Sequence, residues 1–280
     1  MPNIIRVAIW WNRFGIRGTG AIPRALGRIS RCEDVFISTF HGGLLSVDVS
    51  NLDVYACIHN GGGQWDPHVM HTCERMLRPG DVYYDIGSNT GLFAIDAALT
   101  IPDLQVYAFE PQPSLVHHIR RSIAANHLLN VIPLELMLGK EDGEAVLHLT
   151  SHSVHASVTP RERRFKTLVR PVRRLDTLID SGDVKAPDVI KIDVEGAEVM
   201  VFEGALRTLE INTPSIIFEA DDNLIRIGMH VQDVFNSLLR AAPYIFYHID
   251  LDGNLLVAQP PYAFGNYLAL APRHLDRLQA

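Results

Sequence analysis

Residues Val82 to Gly91 read Val-Tyr-Tyr-Asp-Ile-Gly-Ser-Asn-Thr-Gly and indicate the fold class of this chain. An apolar run that ends at Ile86 leads into a turn with small residues at every second position, and a helical apolar pattern follows the turn. A second apolar run comes next, and Glu110 directly follows it. A strand, a glycine turn, a helix and an acid at the end of the next strand form one half of a nucleoside-binding βαβ unit.

The order of residues in the turn distinguishes between two nucleoside cofactors. A dinucleotide-binding turn reads G-x-G-x-x-G and presents a helix N-terminus to a pyrophosphate. Here Asp85 precedes Gly87, Asn89 and Gly91, and asparagine tolerates the left-handed backbone that such turns use. Asp85 would repel a pyrophosphate but suits an ammonium group, and Glu110 can accept hydrogen bonds from two ribose hydroxyls. The pattern therefore favours S-adenosylmethionine over NAD, with an ordinary ligand-free turn as the alternative to both.

Composition and charge limit the class of protein. The chain has 280 residues, of which 47% are hydrophobic and 20% are charged, as in a folded protein with a sizeable core. Its formal net charge of −7 contrasts with the basic face that a nucleic-acid partner requires. Three cysteines without C-x-x-C spacing indicate a reducing compartment, and no apolar run is long enough to span a membrane. We therefore expect a cytoplasmic protein that has a small-molecule substrate and no nucleic-acid partner.

Apolar runs after residue 80 alternate with helical patterns, which predicts a parallel sheet with crossover helices. We predict seven strands in this sheet, at 82–86, 105–109, 131–136, 188–192, 214–219, 243–248 and 265–271. The predicted helices lie at 91–100, 113–126, 174–181, 195–209 and 229–240. A turn at Asp252 and Gly253 predicts a hairpin, and residues 140–173 predict a β excursion or lid over the strand ends.

Several motifs resemble the FkbM family of methyltransferases. Residues Ile190 to Glu198 read Ile-Lys-Ile-Asp-Val-Glu-Gly-Ala-Glu, which is a far more specific run than the glycine turn. The segments Phe109-Glu110-Pro111, 174–178 and 266–269 are similar to family motifs too, and all occur in the family's order over roughly residues 42–270. The resemblance implies transfer of a methyl group from S-adenosylmethionine to a hydroxyl oxygen of a sugar or secondary metabolite.

The resemblance also implies a fold and a set of cofactor residues. The expected fold is α/β: a Rossmann-like class I methyltransferase with a mostly parallel seven-stranded sheet and a C-terminal antiparallel hairpin. A small N-terminal β/α extension with a β-hairpin would occupy residues 1–66, and the methyltransferase domain would occupy residues 67–280. The implied cofactor residues are Asp85, Gly87, Ser88, Asn89, Gly91, Glu110, Pro111 and Asp193.

Transfer to a hydroxyl oxygen requires a group that accepts the proton, and such a general base contributes roughly 10²–10⁴-fold. We consider Asp193, Glu195 and His155 as candidates. Asp193 should project at the carboxyl edge of the sheet, although it could simply be a helix N-cap. Glu195 should begin the next helix, where the helix dipole alone would favour a carboxylate. His155 has the better-matched pKa, but histidines in polar loops are commonly just exposed.

A metal and two other functions are alternatives. Four carboxylates at two adjacent strand ends could offer oxygen ligands to Mg²⁺, but a simple loop role is the preferred reading, so we predict no metal site. These carboxylates belong to Asp193, Glu219, Asp221 and Asp222. The competing functions are a nicotinamide-dependent oxidoreductase and a non-catalytic cofactor-binding subunit. Residues 1–41 match no motif. Two roles remain open for them, which are substrate recognition and contact between copies of the chain.

Overall fold

The computed structural model describes residues 35–48, 66–149 and 166–278. They form an α/β fold with an eight-stranded sheet, a two-stranded sheet and a three-stranded sheet. The strands are β1 Val35–Ser38, β2 Leu44–Val47, β3 Val82–Ile86, β4 Gln105–Phe109, β5 Val131–Leu134, β6 Met137–Leu138, β7 Gly143–Leu149, β8 Lys166–Arg173, β9 Val189–Ile192, β10 Ser215–Ala220, β11 Ile245–Ile249, β12 Leu255–Val257 and β13 Gly265–Leu270.

Although two short helices at 198–204 and 206–212 replace the single helix predicted at 195–209, helices connect the parallel strands in the alternation that the sequence predicts. They are α1 Pro67–Met76, α2 Leu92–Thr100, α3 Pro113–Ala125, α4 Leu175–Asp180, α5 Glu198–Gly204, α6 Leu206–Asn212, α7 Asn223–Arg226 and α8 Val231–Ala241, followed by a 3₁₀ helix at Pro272–Leu278. Within the described part of the chain, no helix is both long and apolar enough to cross a bilayer.

The large sheet has the strand order β12-β11-β13-β10-β9-β3-β4-β5. The five strands from β10 to β5 are parallel to one another, whereas β13 is antiparallel to both β10 and β11. The chain leaves β3 towards β4 and β5 and then returns to β9 on the opposite side of β3. Ligands of open α/β sheets bind at the carboxyl ends of the strands where the strand order reverses in this way. The crevice between β3 and β9 is therefore the expected ligand site.

The predicted number of seven strands was wrong, because β12 extends the same sheet as an eighth strand. The Asp250 carboxylate accepts hydrogen bonds from the backbone N–H groups of Asp252 (3.0 Å) and Asn254 (2.8 Å) and so closes a tight hairpin. This turn lets β12 pair with β11 at the sheet edge. The predicted hairpin is present, and the β excursion is confirmed as the three-stranded sheet of β6, β7 and β8. The predicted role of the excursion as a lid stays a prediction.

The β1–β2 hairpin packs on α3 through polar and apolar contacts. The Leu44 backbone N–H donates to Asn126 Oδ1 (2.8 Å), and the Ser46 N–H donates to Ser122 Oγ (2.8 Å). The inward side chains of both strands, such as Leu45, are buried in the apolar cluster that covers one face of the large sheet. The hairpin thus shares a core with the sheet, and the predicted division of the chain at residue 66 stays a prediction.

Candidate active site

The glycine turn after β3 is folded onto the end of β4. Gly87, Asn89 and Gly91 have φ angles of 79°, 50° and 82°, which is the left-handed backbone predicted for Asn89. The backbone N–H groups of Gly87 and Ser88 both donate to the carbonyl oxygen of Phe109 at 3.0 Å. The turn is therefore fixed by the strand whose end carries the predicted ribose-binding acid.

Glu110 contacts this turn directly. Its Oε2 accepts a hydrogen bond from the Asn89 N–H (2.9 Å), and its Oε1 accepts one from the Gln112 N–H (2.9 Å). The carboxylate is buried, and burial raises the pKa of Glu110 to about 7 although both N–H groups favour its ionised form. The structure thus brings Glu110 and the turn together, with half-buried Pro111 beside them. Their contact with a cofactor stays a prediction.

A buried group of charges joins β3 to β9. Asp85 is fully buried; its Oδ2 accepts a hydrogen bond from the Ala94 N–H (3.2 Å), and its Oδ1 has no hydrogen-bond partner among the described residues. Lys191 Nζ lies 3.9 Å from Asp85 Oδ1 and 3.3 Å from Asp193 Oδ2. Burial by itself would lower the pKa of Lys191, but the carboxylates of Asp193 and Asp85 outweigh it and raise that pKa.

The prediction from sequence overlooked Lys191. The signal was a lysine in β9, whose other residues are apolar and all of whose residues are buried. Strands buried on both faces are usually continuous apolar runs, and lysine is rarely buried unless it is paired. Here the ammonium is also 4.7 Å from the centre of the Phe93 ring, a cation–π contact.

A pocket opens at the carboxyl ends of β9 and β10, beside the glycine turn. Its polar and aromatic lining includes Asp66, Phe93, Lys191, Asp193, Glu219 and Asn266. A Cβ atom built on Gly87 would lie 1.9 Å from the carbonyl oxygen of Asp193, so the turn and the pocket wall are in direct contact. Asp193 is therefore placed where the sequence predicted it, at the carboxyl edge of the sheet.

The predicted helix start at residue 195 was wrong. Glu195 and Gly196 have φ angles of 59° and 100°, and a right-handed helix cannot include this left-handed backbone. Helix α5 begins at Glu198 with Ala197 as its N-cap, so the helix does not begin at Glu195 and Asp193 is not its N-cap. The Glu195 carboxylate instead accepts a hydrogen bond from Asn223 Nδ2 (2.8 Å).

Glu198 closes the turn between β9 and α5. Its Oε1 accepts hydrogen bonds from the backbone N–H groups of Val194 (3.1 Å) and Gly196 (3.3 Å). The carboxylate is buried and its Oε2 has no hydrogen-bond partner among the described residues. Burial raises the pKa of Glu198 to about 7. This acid of the sequence signature therefore has a structural contact that the sequence alone did not indicate.

The remaining predictions of site residues concern His155 and a metal. His155 lies outside the described residues, so its role as a base stays a prediction. Within the described residues, the four carboxylates considered as Mg²⁺ ligands do not bring three ligand atoms within 4.8 Å of one another.

A different group, away from the pocket, does have such spacing. His41, Glu74 and Asp96 bring their ligand atoms within 4.8 Å of one another. His41 Nδ1 lies 3.0 Å from Asp96 Oδ2 and 3.4 Å from Glu74 Oε1. Since Glu74 belongs to α1 and Asp96 to α2, these contacts hold the turn of the β1–β2 hairpin against both helices.

Comparisons with known proteins agree with the motifs. The sequence model of the "Methyltransferase FkbM domain" matches residues 85–246. The 31-O-demethyl-FK506 methyltransferase FkbM of Streptomyces tacrolimicus is 54% identical over 160 residues, which cover 46% of this chain and 60% of that protein. The hexuronic acid methyltransferase AglP of Haloferax volcanii is 30% identical over 164 residues, or 58% of this chain and 62% of that protein. The matched part thus spans about three fifths of each relative.

Structural alignment also matches this chain to a methyltransferase FkbM from Methylobacillus flagellatus. It aligns with a TM-score of 0.43 and 17% identity over 79% of this chain and 53% of that chain. TYW2 of M. jannaschii in complex with AdoMet aligns with a TM-score of 0.42 and 13% identity over 84% of each chain. Because the family match at residues 85–246 spans more than half of its 280 residues, the chain belongs to the FkbM methyltransferase family.

Proposed function

We propose that this protein transfers the methyl group of S-adenosylmethionine to a hydroxyl oxygen of a small-molecule acceptor, a sugar or another hydroxylated metabolite. One observation carries the proposal: the glycine turn that rests on Glu110 lies directly against the wall of a charged pocket at Asp193. Family membership supports the cofactor, and the two relatives, named for a hexuronic acid and for a demethylated FK506, support an oxygen-bearing acceptor.

The residues of the turn fit this cofactor. Each Glu110 oxygen accepts one backbone N–H, and the Gln112 side chain also hydrogen-bonds the carboxylate. A carboxylate has about four acceptor sites, so Glu110 can still accept a hydrogen bond from a ribose hydroxyl. Asp85 Oδ1 is buried without a hydrogen bond among the described residues. One buried ammonium, Lys191, faces the two carboxylates of Asp85 and Asp193, so this edge of the sheet is negative and suits a cationic ligand. When bound there, S-adenosylmethionine supplies a methyl group that its sulfonium has already activated.

The residues of the pocket must provide the other requirements of the reaction. They must align the acceptor oxygen, exclude competing water and take up the hydroxyl proton. Lys191 holds the Asp193 carboxylate in one orientation at 3.3 Å. Asp193 can then accept a hydrogen bond from an acceptor hydroxyl, and Phe93 and Asn266 offer an apolar face and an amide beside it. These groups match a polyhydroxylated acceptor better than an apolar one.

The first experiment is a calorimetric titration with S-adenosylhomocysteine, with NAD as the comparison ligand. We expect micromolar-range binding of S-adenosylhomocysteine and much weaker binding of NAD. Glu110→Gln should weaken the binding at least tenfold, because an amide offers one acceptor oxygen instead of two. The matched control is Glu210→Gln, the same chemical change at an exposed position of α6.

The outcomes separate the three candidate functions. Failure to bind S-adenosylhomocysteine, or a preference for NAD, would contradict the methyltransferase proposal and favour an oxidoreductase. Binding of S-adenosylhomocysteine without methyl transfer to any acceptor in a panel of glycosides and hydroxylated metabolites would favour a non-catalytic subunit. Binding together with methyl transfer would establish the reaction. Analysis of the product would then identify which hydroxyl is methylated.

A further inference from the structure

Five carboxylates gather where β9 and β10 end. They belong to Asp66, Asp193, Glu195, Glu219 and Asp221, and the four others all lie close enough to act on the charge of Glu219. Three of these side chains are fixed by hydrogen bonds from other side chains or the backbone. Asp193 binds Lys191 Nζ (3.3 Å), Glu195 binds Asn223 Nδ2 (2.8 Å), and Asp221 accepts the Asn223 N–H (2.9 Å).

Glu219 differs from these three neighbours. Its side chain makes no hydrogen bond and no ion pair with any residue in the described part of the chain. It lines the same pocket as Lys191 and Asp193, on the strand next to β9, and it pairs across β10 and β13 with Asn266. Residue 219 is exposed at the pocket mouth. Its carboxylate is therefore free to accept a hydrogen bond from a ligand and to exchange a proton with water.

The surroundings of Glu219 raise the affinity of its carboxylate for a proton. Although the residue is exposed, loss of water contact on the pocket side raises the pKa of Glu219 to about 8, and the carboxylates of Asp193, Asp221, Asp66 and Glu195 add to that increase. Protonation relieves the repulsion among these groups. The ammonium of Lys191, which lines the same pocket, is bound by Asp193 and Asp85. A general base is most effective when its pKa lies near the working pH.

We propose that Glu219 is the catalytic residue that accepts the proton of the acceptor hydroxyl, a role that rests on the proposed function. The acceptor oxygen forms a bond to the transferred methyl carbon, the bond from that carbon to sulfur breaks, and its electron pair stays on sulfur. The hydroxyl proton passes to the Glu219 carboxylate, which becomes a neutral carboxylic acid and returns the proton to water at the pocket mouth. Asp193, which lines the pocket and is fixed by Lys191, orients the acceptor.

The test begins with a measurement that needs neither cofactor nor acceptor. The side-chain carboxyl carbons of glutamate are labelled with ¹³C in the wild-type protein and observed by NMR. The Glu219 signal is the one that is missing from the spectrum of Glu219→Gln. We expect this signal to titrate with a midpoint near 8 and to move towards lower pH in Asp193→Asn, because one repelling charge is removed. A midpoint near the ordinary glutamate value would overturn the proposal.

The second part compares binding with turnover. Glu219→Gln should bind S-adenosylhomocysteine with the wild-type affinity in calorimetry. Its turnover with the best glycoside of the panel should fall by about 10²–10⁴-fold, and Glu219→Asp should restore part of it. The wild-type rate should rise with pH up to about 8, and this rise should disappear in Glu219→Gln. Glu210→Gln is the matched control and should behave as wild type.

Other results would contradict the role of Glu219. Full turnover in Glu219→Gln would overturn it. A pH-dependent rise that is retained in Glu219→Gln but lost in Asp193→Asn, Glu195→Gln or His155→Ala would overturn it too, because another residue would then be the base. An equal loss of S-adenosylhomocysteine affinity and of turnover would make Glu219 a cofactor-binding residue instead. A wild-type protein that does not bind S-adenosylhomocysteine would refute the proposed function itself, which the titration of Glu219 does not depend on.

Discussion

Gly87 packs against the backbone of Asp193 so closely that a Cβ atom at residue 87 would lie 1.9 Å from the Asp193 carbonyl oxygen. The two residues belong to different strand ends, β3 and β9, and the Asp193 N–H also donates to the carbonyl of Ile86 (3.0 Å). The contact joins the predicted cofactor turn to the pocket in which we place the acceptor. The distance between the two parts of the site therefore depends on the absence of a side chain at one position.

Gly87→Ala should weaken S-adenosylhomocysteine binding more than tenfold and lower the free energy of unfolding. Alanine at a positive φ costs roughly 1–2 kcal/mol on its own, and the clash with Asp193 adds to that cost. Gly80→Ala is the matched control, because Gly80 has a φ of 85° and nothing within 4 Å of a built Cβ. Calorimetry and urea unfolding of both variants measure the difference. Equal effects in the two variants would show that the close approach has no consequence.

Lys191→Met should destabilise the protein by about 3–5 kcal/mol, because it leaves Asp85 as an uncompensated buried charge. The Lys191 side chain is only 7% exposed and that of Asp85 is not exposed at all. The double variant Asp85→Asn with Lys191→Met should recover part of the loss, since the unpaired charge is then removed too. Urea unfolding at pH 7 measures both. A double variant no more stable than Lys191→Met would argue against the buried pair as the cause.

The stability of the protein should depend on pH through Glu198. Its pKa is raised from 4.5 to about 7 in the folded protein, so between these pH values the folded state holds more protons than the unfolded state. The free energy of unfolding should therefore fall as pH rises through this window and level off above it. From pH 5.5 to 8, Glu198 should contribute a decrease of about 2 kcal/mol.

Glu198→Gln should remove that part of the decrease while its amide oxygen still accepts the N–H groups of Val194 and Gly196. Urea unfolding at pH 5.5 and pH 8 provides the comparison, with Glu210→Gln as the control for loss of an exposed carboxylate. An unchanged pH dependence in Glu198→Gln would mean that this carboxyl ionises as readily in the folded chain as in the unfolded one.

Methyl transfer should survive exhaustive treatment with EDTA. Mg²⁺ requires several oxygen ligands in a near-octahedral arrangement, and the four carboxylates at the ends of β9 and β10 do not bring three ligand atoms within 4.8 Å in the described part of the chain. Asp193 is also bound by Lys191. The rate before and after EDTA treatment decides the question. Loss of activity that added Mg²⁺ restores would establish a metal requirement.

Local sequence patterns were enough to predict the alternation of strands and helices, the left-handed backbone at Asn89 and the family. Each of these depends on neighbours along the chain: apolar periodicity, a short side chain in a tight turn, and a nine-residue signature from Ile190 to Glu198. The sequence also placed Asp193 and Glu110 at strand ends, because the last residue of an apolar run marks the end of a buried strand.

How these strand ends meet became visible in the folded chain. The reversal of strand order between β3 and β9 brings Lys191 between Asp85 and Asp193, three residues from two segments that are about a hundred positions apart in the chain. Because the backbone at Glu195 is left-handed, the helix begins at Glu198 and not at residue 195, where the apolar pattern predicted it. The lack of a hydrogen-bond partner for Glu219 among the described residues depends on which of their side chains lie near its carboxylate. Contacts between distant segments follow from packing, and a local pattern carries no information about them.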